Sequence, residues 1–401
     1  MLHETAPASA PLAGTAGADD ARFALWQLGF RPFYLLASAF AALSVGLWAL
    51  QYAGLLPFAY LRAPLWHAHE MLFGYTAAVV AGFLLTAVRN WTQRQTPTGA
   101  SLASLAALWV AGRILVLTPF GWAAAIVNTA FPLAVGAGIG VALVRSGNRR
   151  NYFFVGVLVL LAAAELATHL AWLELVSLPP WAGVRVGLDI ILLVIAVMAG
   201  RVVPMFTNNG IAGANARRLP RVERAALGSV LLLGAADAAE WHGSRLAVLL
   251  CAAAACHLLR WLLWHPYKTW RTPLLWVLHL GYAWVPVHLT LRALSEVRYV
   301  PTPLADHALT IGAIGGLTIG MMTRTARGHT GRALVADSLD VTSYWLVLMA
   351  ALTRVFAPLL LGGAYLGSVL LSGLLWSGGF ALYTVRYWPV LTRPRLDGRP
   401  G

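Results

Sequence analysis

Apolar residues in this chain do not alternate with polar ones. They run in stretches of about twenty, divided by short segments that hold Arg, Pro and Gly. Taking each stretch as one helix places spans near residues 33–53, 66–88, 101–118, 122–144, 152–175, 184–206, 222–240, 245–264, 273–294, 304–325, 342–361 and 365–387. A helix needs about 20 apolar residues to cross a hydrocarbon core of roughly 30 Å. The pattern therefore predicts an all-α polytopic membrane bundle of about twelve helices, occupying residues 25–390 as a single transmembrane domain. Residues 1–24 are rich in Ala, Pro, Gly and Thr and lack the basic and apolar regions of a cleavable signal, so a disordered leader is expected there. Residues 391–401 form a short tail.

Composition supports the membrane assignment: 59% of the 401 residues are hydrophobic, 11% are charged, and the mean hydropathy is +0.70. A net charge of +14 in a soluble protein would suggest nucleic acid as a partner. Here the partner is the lipid bilayer, and what matters is how the charge divides among the loops. Twenty-one of the 29 Lys and Arg fall on the N-terminal side of the bundle and five on the other. By the positive-inside rule both termini are expected in the cytoplasm of a bacterial inner-membrane protein. Arg113, Arg201 and Arg354 remain within or at the ends of spans and need partners. Cys251 and Cys256, five helical positions apart, are roughly 7 to 8 Å from one another, too far for a disulfide.

This orientation gives each polar residue a depth. Toward the outside lie His67, His69 and Glu70 opening span 2, Glu165 and His169 in span 5, His242 after span 7, His288 in span 9, and Asp306 and His307 opening span 10. Toward the cytoplasm lie His257, His265, His279 and His329. Interfacial depth alone accommodates His169, His242, His265 and His288. Yet ten of the eleven histidines sit in or beside spans, and imidazole is the commonest metal ligand. His67 and His69 project about 200° apart on a helix, so from a regular helix they cannot chelate one metal. Either His67 turns back from a non-helical entry, or the two rings address different centres.

Spans 2 and 10 share a further pattern: His69, Gly74, Gly82 and Arg89 match His307, Gly312, Gly320 and Arg327 at offsets of 5, 13 and 20. Span 6 ends similarly with Gly200 and Arg201, which points to three repeated four-helix units. The glycines suit close approach of either another helix or a flat macrocycle. Arg201 and Arg324, at inner span ends, can snorkel to the interface or bind anionic groups such as haem propionates. The chain has no phosphate-binding loop, no C-x-x-C-H and no H-E-x-x-H, which disfavours an ATP-driven pump, covalently attached haem and a zinc protease.

The segments GFRPFYL (29–35), LWHAHEMLFG (65–74), AGFLLTAVRNWT (81–92), GRVVPMFT (200–207), LLWVLHLGYAWVP (274–286) and HALTIGAIGGLTIGMMTRTARGHTGR (307–332) resemble the NnrS family of bacterial membrane proteins. The resemblance implies an inner-membrane protein containing haem and copper, associated with nitric oxide and nitrosative stress. By motif match it carries His67, His69, Glu70, Arg201, His279, His307, Arg324 and His329; His169, His242 and His288 are candidates by depth alone. The architecture is also similar to the catalytic subunit of haem-copper oxidases and nitric oxide reductases, in which histidines of spans 2 and 10 clamp a haem. This chain departs from that pattern: its His-x-His lies on span 2, and spans 6 and 7 lack the oxidase copper motifs.

These observations lead to one principal expectation. His67, His69 and His307 ligate a non-covalent, b-type haem with Arg201 and Arg324 as propionate partners. His279, His329, His242, His288 and His169 supply ligands for copper or a second haem, and Glu70 stands behind them for protons. Nitric oxide or a similar diatomic would be the ligand and, if the protein is an enzyme, the substrate of an oxidoreductase drawing on a separate electron donor. A proton-coupled transporter using Glu165, Asp189 and Asp237 is the alternative from another class, and a non-catalytic haem or nitric oxide binder is a third.

Overall fold

The computed structural model describes residues 23–57, 60–361 and 365–398. Except for its last two residues, the expected leader lies outside the described residues. Twelve helical rods appear where the apolar stretches predicted them: α1 (Phe30–Tyr52), α2 (Pro64–Thr92), α3 (Gly99–Leu115), α4 (Gly121–Ser146), α5 (Phe153–Trp172) and α6 (Ala182–Gly210), followed by α7 (Pro220–Ala238), α8 (Ser244–Leu263), α9 (Pro273–Glu296), α10 (Thr302–His329), α11 (Ser338–Leu360) and α12 (Tyr365–Thr392). No strand occurs among the described residues. Ten of the rods are long and apolar enough to span a membrane. The other two fall short for different reasons: α3 has 17 residues, and α7 carries Arg221, Glu223 and Arg224 in its first turns.

An even number of rods brings α1 and α12 to the same face, hereafter the terminal face, and buried polar contacts lock them there. The Arg31 guanidinium donates from Nη1 to the carbonyls of Leu391 (3.0 Å) and Arg393 (2.8 Å), satisfying oxygens that the end of α12 leaves unpaired. Ala24 N–H donates to Thr392 O at 2.7 Å, and Phe30 N–H donates to the Thr86 hydroxyl of α2 at 3.0 Å.

Successive rods pack on one another, and three rods spaced four apart join the units. α2 touches α1, α3, α4 and α6; α6 touches α5, α7, α9 and α2; α10 touches α9, α11, α12 and α1. Position governs burial: 83% of the most apolar window of α2 is enclosed, against 33% for α8 and α12, whose outward leucines and valines form the lipid-facing surface. Two π-helical segments interrupt the central rods, Glu70–Thr76 in α2 and Ala308–Gly315 in α10. Each begins directly after the histidine of the matched pattern, His69 or His307, so the repeat extends from sequence into backbone geometry. α6 has no such segment.

The glycines of the pattern accommodate protein side chains and backbone. Gly82 faces Phe33 and Tyr34, Gly312 faces the Trp284 ring, Gly315 faces Trp376, and Gly316 lies against Gly281 of α9. A Cβ at Gly316 would stand 3.0 Å from Gly281 Cα, backbone that cannot swing aside. Gly316→Val is therefore expected to destabilise the fold by about 1–3 kcal/mol, read as a lowered thermal unfolding midpoint in detergent. Gly46→Ala, where nothing lies within 4 Å, should leave it unchanged.

Candidate metal centre

α2 opens with Pro64 in its first turn, a position where a missing N–H costs nothing, and the regular helix runs through His69 before the π segment begins. His67 and His69 therefore keep the separation of about 200° that regular spacing imposes. The His69 ring turns toward α5, and the His67 ring toward Trp48 of α1, with ring centroids 4.8 Å apart.

His69, Glu165 and His169 form a buried group whose three ligand atoms all lie within 4.8 Å of one another. His69 Nε2 is 3.1 Å from His169 Nε2 and 3.6 Å from Glu165 Oε1. Behind His69, Nδ1 lies 2.8 Å from Glu70 Oε1, and that same oxygen accepts from Arg113 Nη1 at 2.6 Å. The Arg113 guanidinium also bonds the Asn128 side-chain oxygen, and Asn128 in turn donates to Ala124 O at 2.8 Å. Gly74 and Gly112 make this possible, because a Cβ at either would meet Arg113 or Asn128.

The hydrogen bonds determine what these atoms can do. Glu70 Oε1, which accepts from Arg113, also accepts the Nδ1 proton of His69, so a neutral His69 presents the lone pair of Nε2 toward His169 and Glu165. His169 Nδ1 is 3.0 Å from the Tyr60 hydroxyl, which comes from the loop between α1 and α2. The Tyr60 ring stacks on His169 at an interplanar angle of 6°, and burial pushes its phenol up to about 12. If His169 donates from Nδ1 to Tyr60, two Nε2 lone pairs face each other at 3.1 Å, an arrangement that needs a cation between them. The separation suits two donors on one first-row ion with bonds of about 2.0 Å. Glu165 Oε1 is buried without a hydrogen-bond partner and has no arginine of its own, so a bound cation would also supply the counter-charge this carboxylate lacks.

A second grouping lies on the opposite flank of α2. His67 and His307 are near enough to feel each other's charge and that of Arg354. Both rings are partly buried. His307 Nδ1 donates to Pro303 O at 2.5 Å, which leaves its Nε2 lone pair free. Arg354 donates from Nη2 to Tyr365 OH at 3.2 Å, while its Nη1 is buried and unpartnered.

The other expected ligands are dispersed, and no second group of three His, Cys, Asp or Glu ligand atoms converges among the described residues. His279 Nε2 lies 2.9 Å from the Thr207 hydroxyl, whose own proton goes to Val203 O. His288 donates to Ala305 O at 2.8 Å and links α9 to α10. His242 is largely exposed, 4.0 Å from Glu296, and His329 lies against Phe30 at the terminal face. Arg201 bonds Asn151 at 3.1 Å, and Arg324 covers the Phe206 ring at 3.9 Å. Arg324 is seventeen residues along α10 from His307, roughly 25 Å at 1.5 Å per residue, so it cannot serve a group clamped there. Arg354 holds that position instead. Asp189 and Asp237 are tied to Arg292 across α6, α7 and α9. Sequence reasoning missed Tyr60 and the pairing of His69 with His169. The one available signal for the latter was Glu165-x-x-x-His169, which puts both side chains on one face of α5.

Residues 24–395 match the protein family described as NnrS protein. No curated protein matches the chain.

Removing Arg113 would leave Glu70 as a buried carboxylate without its counter-ion. Arg113→Met is expected to cost about 3–5 kcal/mol, with part of the loss recovered in Arg113→Met/Glu70→Gln. Unfolding of both single variants and the double variant in detergent measures the coupling; a double-variant loss equal to the sum of the two single losses would mean that the two residues act independently.

Proposed function

This chain belongs to the NnrS family, and from that premise we propose that it is a haem- and copper-binding protein of the cytoplasmic membrane that handles nitric oxide, with both termini in the cytoplasm. One observation carries the proposal: two imidazole Nε2 atoms and an unpaired carboxylate converge where the helices exclude water. His69, His169 and Glu165 would hold copper, a metal suited to imidazole and oxygen donors. His67 and His307 would hold haem, with the unpaired nitrogen of Arg354 available to its carboxylates. His69 thus changes role from the haem ligand its motif suggested to a copper ligand, because its ring faces α5 and not α10.

When bound, these metals supply a redox couple and a vacant position for a diatomic ligand. The protein does the rest. Glu70 and Arg113 fix the tautomer and direction of His69, Tyr60 covers His169 from the far face, and buried Trp66, Leu72 and Phe73 exclude water. Nitric oxide, small and weakly polar, can arrive through the bilayer, so the site needs no aqueous tunnel. Placement outside the cytoplasmic half follows from the basic residues crowding the terminal face. The transporter alternative finds less support, since Asp189 and Asp237 are engaged by Arg292 and Glu165 sits among the histidines.

Metal analysis and visible spectra of the full chain, purified in detergent after expression with copper and haem precursor, test the assignment. His169→Ala should lose copper and keep the haem spectrum, whereas His307→Ala should lose the low-spin haem spectrum and keep copper. Wild-type protein containing neither would refute the proposal, and iron in place of copper would correct the metal. Glu70→Ala, which frees the His69 ring, should weaken metal binding about 10- to 100-fold.

A further inference from the structure

Between α1, α10, α11 and α12 the bundle encloses a group of phenols that packing alone does not explain. Tyr34, Tyr344 and Tyr383 are each at most 1% exposed, and none of their hydroxyls has a hydrogen-bond partner. Thr325 and Thr323 lie close enough to interact with Tyr34 and Tyr344, but outside the geometry of a full hydrogen bond. Tyr383 is electrostatically linked to Tyr34, Tyr344, Tyr387 and Asp340. Three unsatisfied hydroxyls in one place are costly in a bundle with lipid around it, and a tyrosine that only filled space would be served as well by phenylalanine. Gaps lined by several hydroxyls are instead where buried water binds, since each molecule needs two to four polar partners.

The group opens onto a charged mouth at the terminal face. Asp340 Oδ1 accepts from Tyr387 OH at 2.9 Å, and Asp340 Oδ2 accepts from Arg327 Nε at 3.0 Å and Nη2 at 2.6 Å. Half-exposed Asp337 joins Arg327 to Arg386, each at 2.7 Å. Tyr383 lies one turn deeper than Tyr387 on α12, their rings stacked with centroids 4.4 Å apart, and Tyr344 lies one turn deeper than Asp340 on α11. Level with Tyr383, Thr384 bonds Ser38 at 2.8 Å; deeper still, Tyr75 of α2 bonds Thr318 of α10 at 2.5 Å. Tyr75 follows His67 on α2, and Thr318 follows His307 on α10.

We propose that this seam is a hydrated proton-uptake route, entered at Asp340 and Tyr387 and running through Tyr383, Tyr344 and Tyr34 to Tyr75 and Thr318. A proton from water at the terminal face adds to one oxygen as that oxygen's own proton passes to the next. Each O–H bond broken is replaced by one formed, no phenolate accumulates, and no electron moves. The carboxylate and guanidinium at the mouth hold the first hydroxyl in place, while the unpaired hydroxyls beyond need partners, which bridging water would supply. The seam supplies protons to the interior between α2 and α10, and only the use made of them there rests on the metal assignment above.

Two measurements test it. An experimental structure that resolves water should show molecules bridging the Tyr34, Tyr344 and Tyr383 hydroxyls; a dry cluster would overturn the proposal. Proton uptake by the full-length, metal-loaded protein on rapid reduction, followed with a pH-indicating dye, should slow at least tenfold in Tyr383→Phe and Tyr344→Phe. Metal content and visible spectrum should stay as in wild type, and exposed Tyr52→Phe should react at the wild-type rate. Unchanged rates in both phenol variants, or no uptake in wild type, would overturn it. Failure of the metal assignment would show separately in the metal content, while the water test still judges the seam.

Discussion

A charge enclosed by helices and lipid must find its counter-charge on another helix, because water cannot supply one. That constraint organises the bundle. Arg113 of α3 meets Glu70 of α2, Arg260 of α8 meets Glu223 of α7, Arg292 of α9 meets Asp237 of α7, and Arg327 of α10 meets Asp340 of α11. Lipid tails offer no hydrophobic force to drive two apolar helices together, so these charge-assisted contacts specify which rods are neighbours and at what depth. Glycine makes room for them: a Cβ at Gly74 would strike Arg113, and one at Gly200 would strike Arg260.

The same requirement separates structural from functional polar groups. Arg260 is fully engaged by Glu223, Ala196 O and Tyr282, and His257 by Tyr282 and Ala226 O, so neither of these two side chains has a polar atom left to bind a ligand. Glu165, Arg354 and the phenols near Asp340 keep unpaired polar atoms in equally dry surroundings. Unpaired groups of this kind persist when something else satisfies them: a cation for the carboxylate, an anion for the guanidinium, water for the hydroxyls. Glu165 on one flank of α2 and Arg354 on the other thus mark two units that are incomplete by themselves.

How much of this was legible in the sequence depends on how far each feature reaches. The twelve rods were readable within a few residues because span length is set locally, by apolar residues against bilayer thickness. The opposed directions of His67 and His69 were readable too, since both lie in the regular part of α2. Lateral order was not. The partner of His69 is His169, one hundred residues away, and nothing in the spacing of span 2 distinguishes α5 from α10 as the helix its ring will face. Tyr60 lies in a loop with no periodicity to mark it, and the π segments after His69 and His307 have no composition that separates them from α-helix. Depth therefore sorted the candidates into layers, and only packing sorted them into sites.

α2 gains its importance from lying between the two incomplete units and belonging to both. Residues two apart on a helix have Cα atoms about 5.4 Å from one another on nearly opposite sides of the axis. Groups held by His67 and by His69 would accordingly sit on the two flanks of a single rod. A shift of α2 that moves one ring must also move the other. The Arg113–Glu70 pair, which looks like a local support for His69, thereby constrains the His67 flank as well. The water-seeking triplet of His67, His69 and Glu70 thus links the two flanks of the most enclosed helix of the bundle.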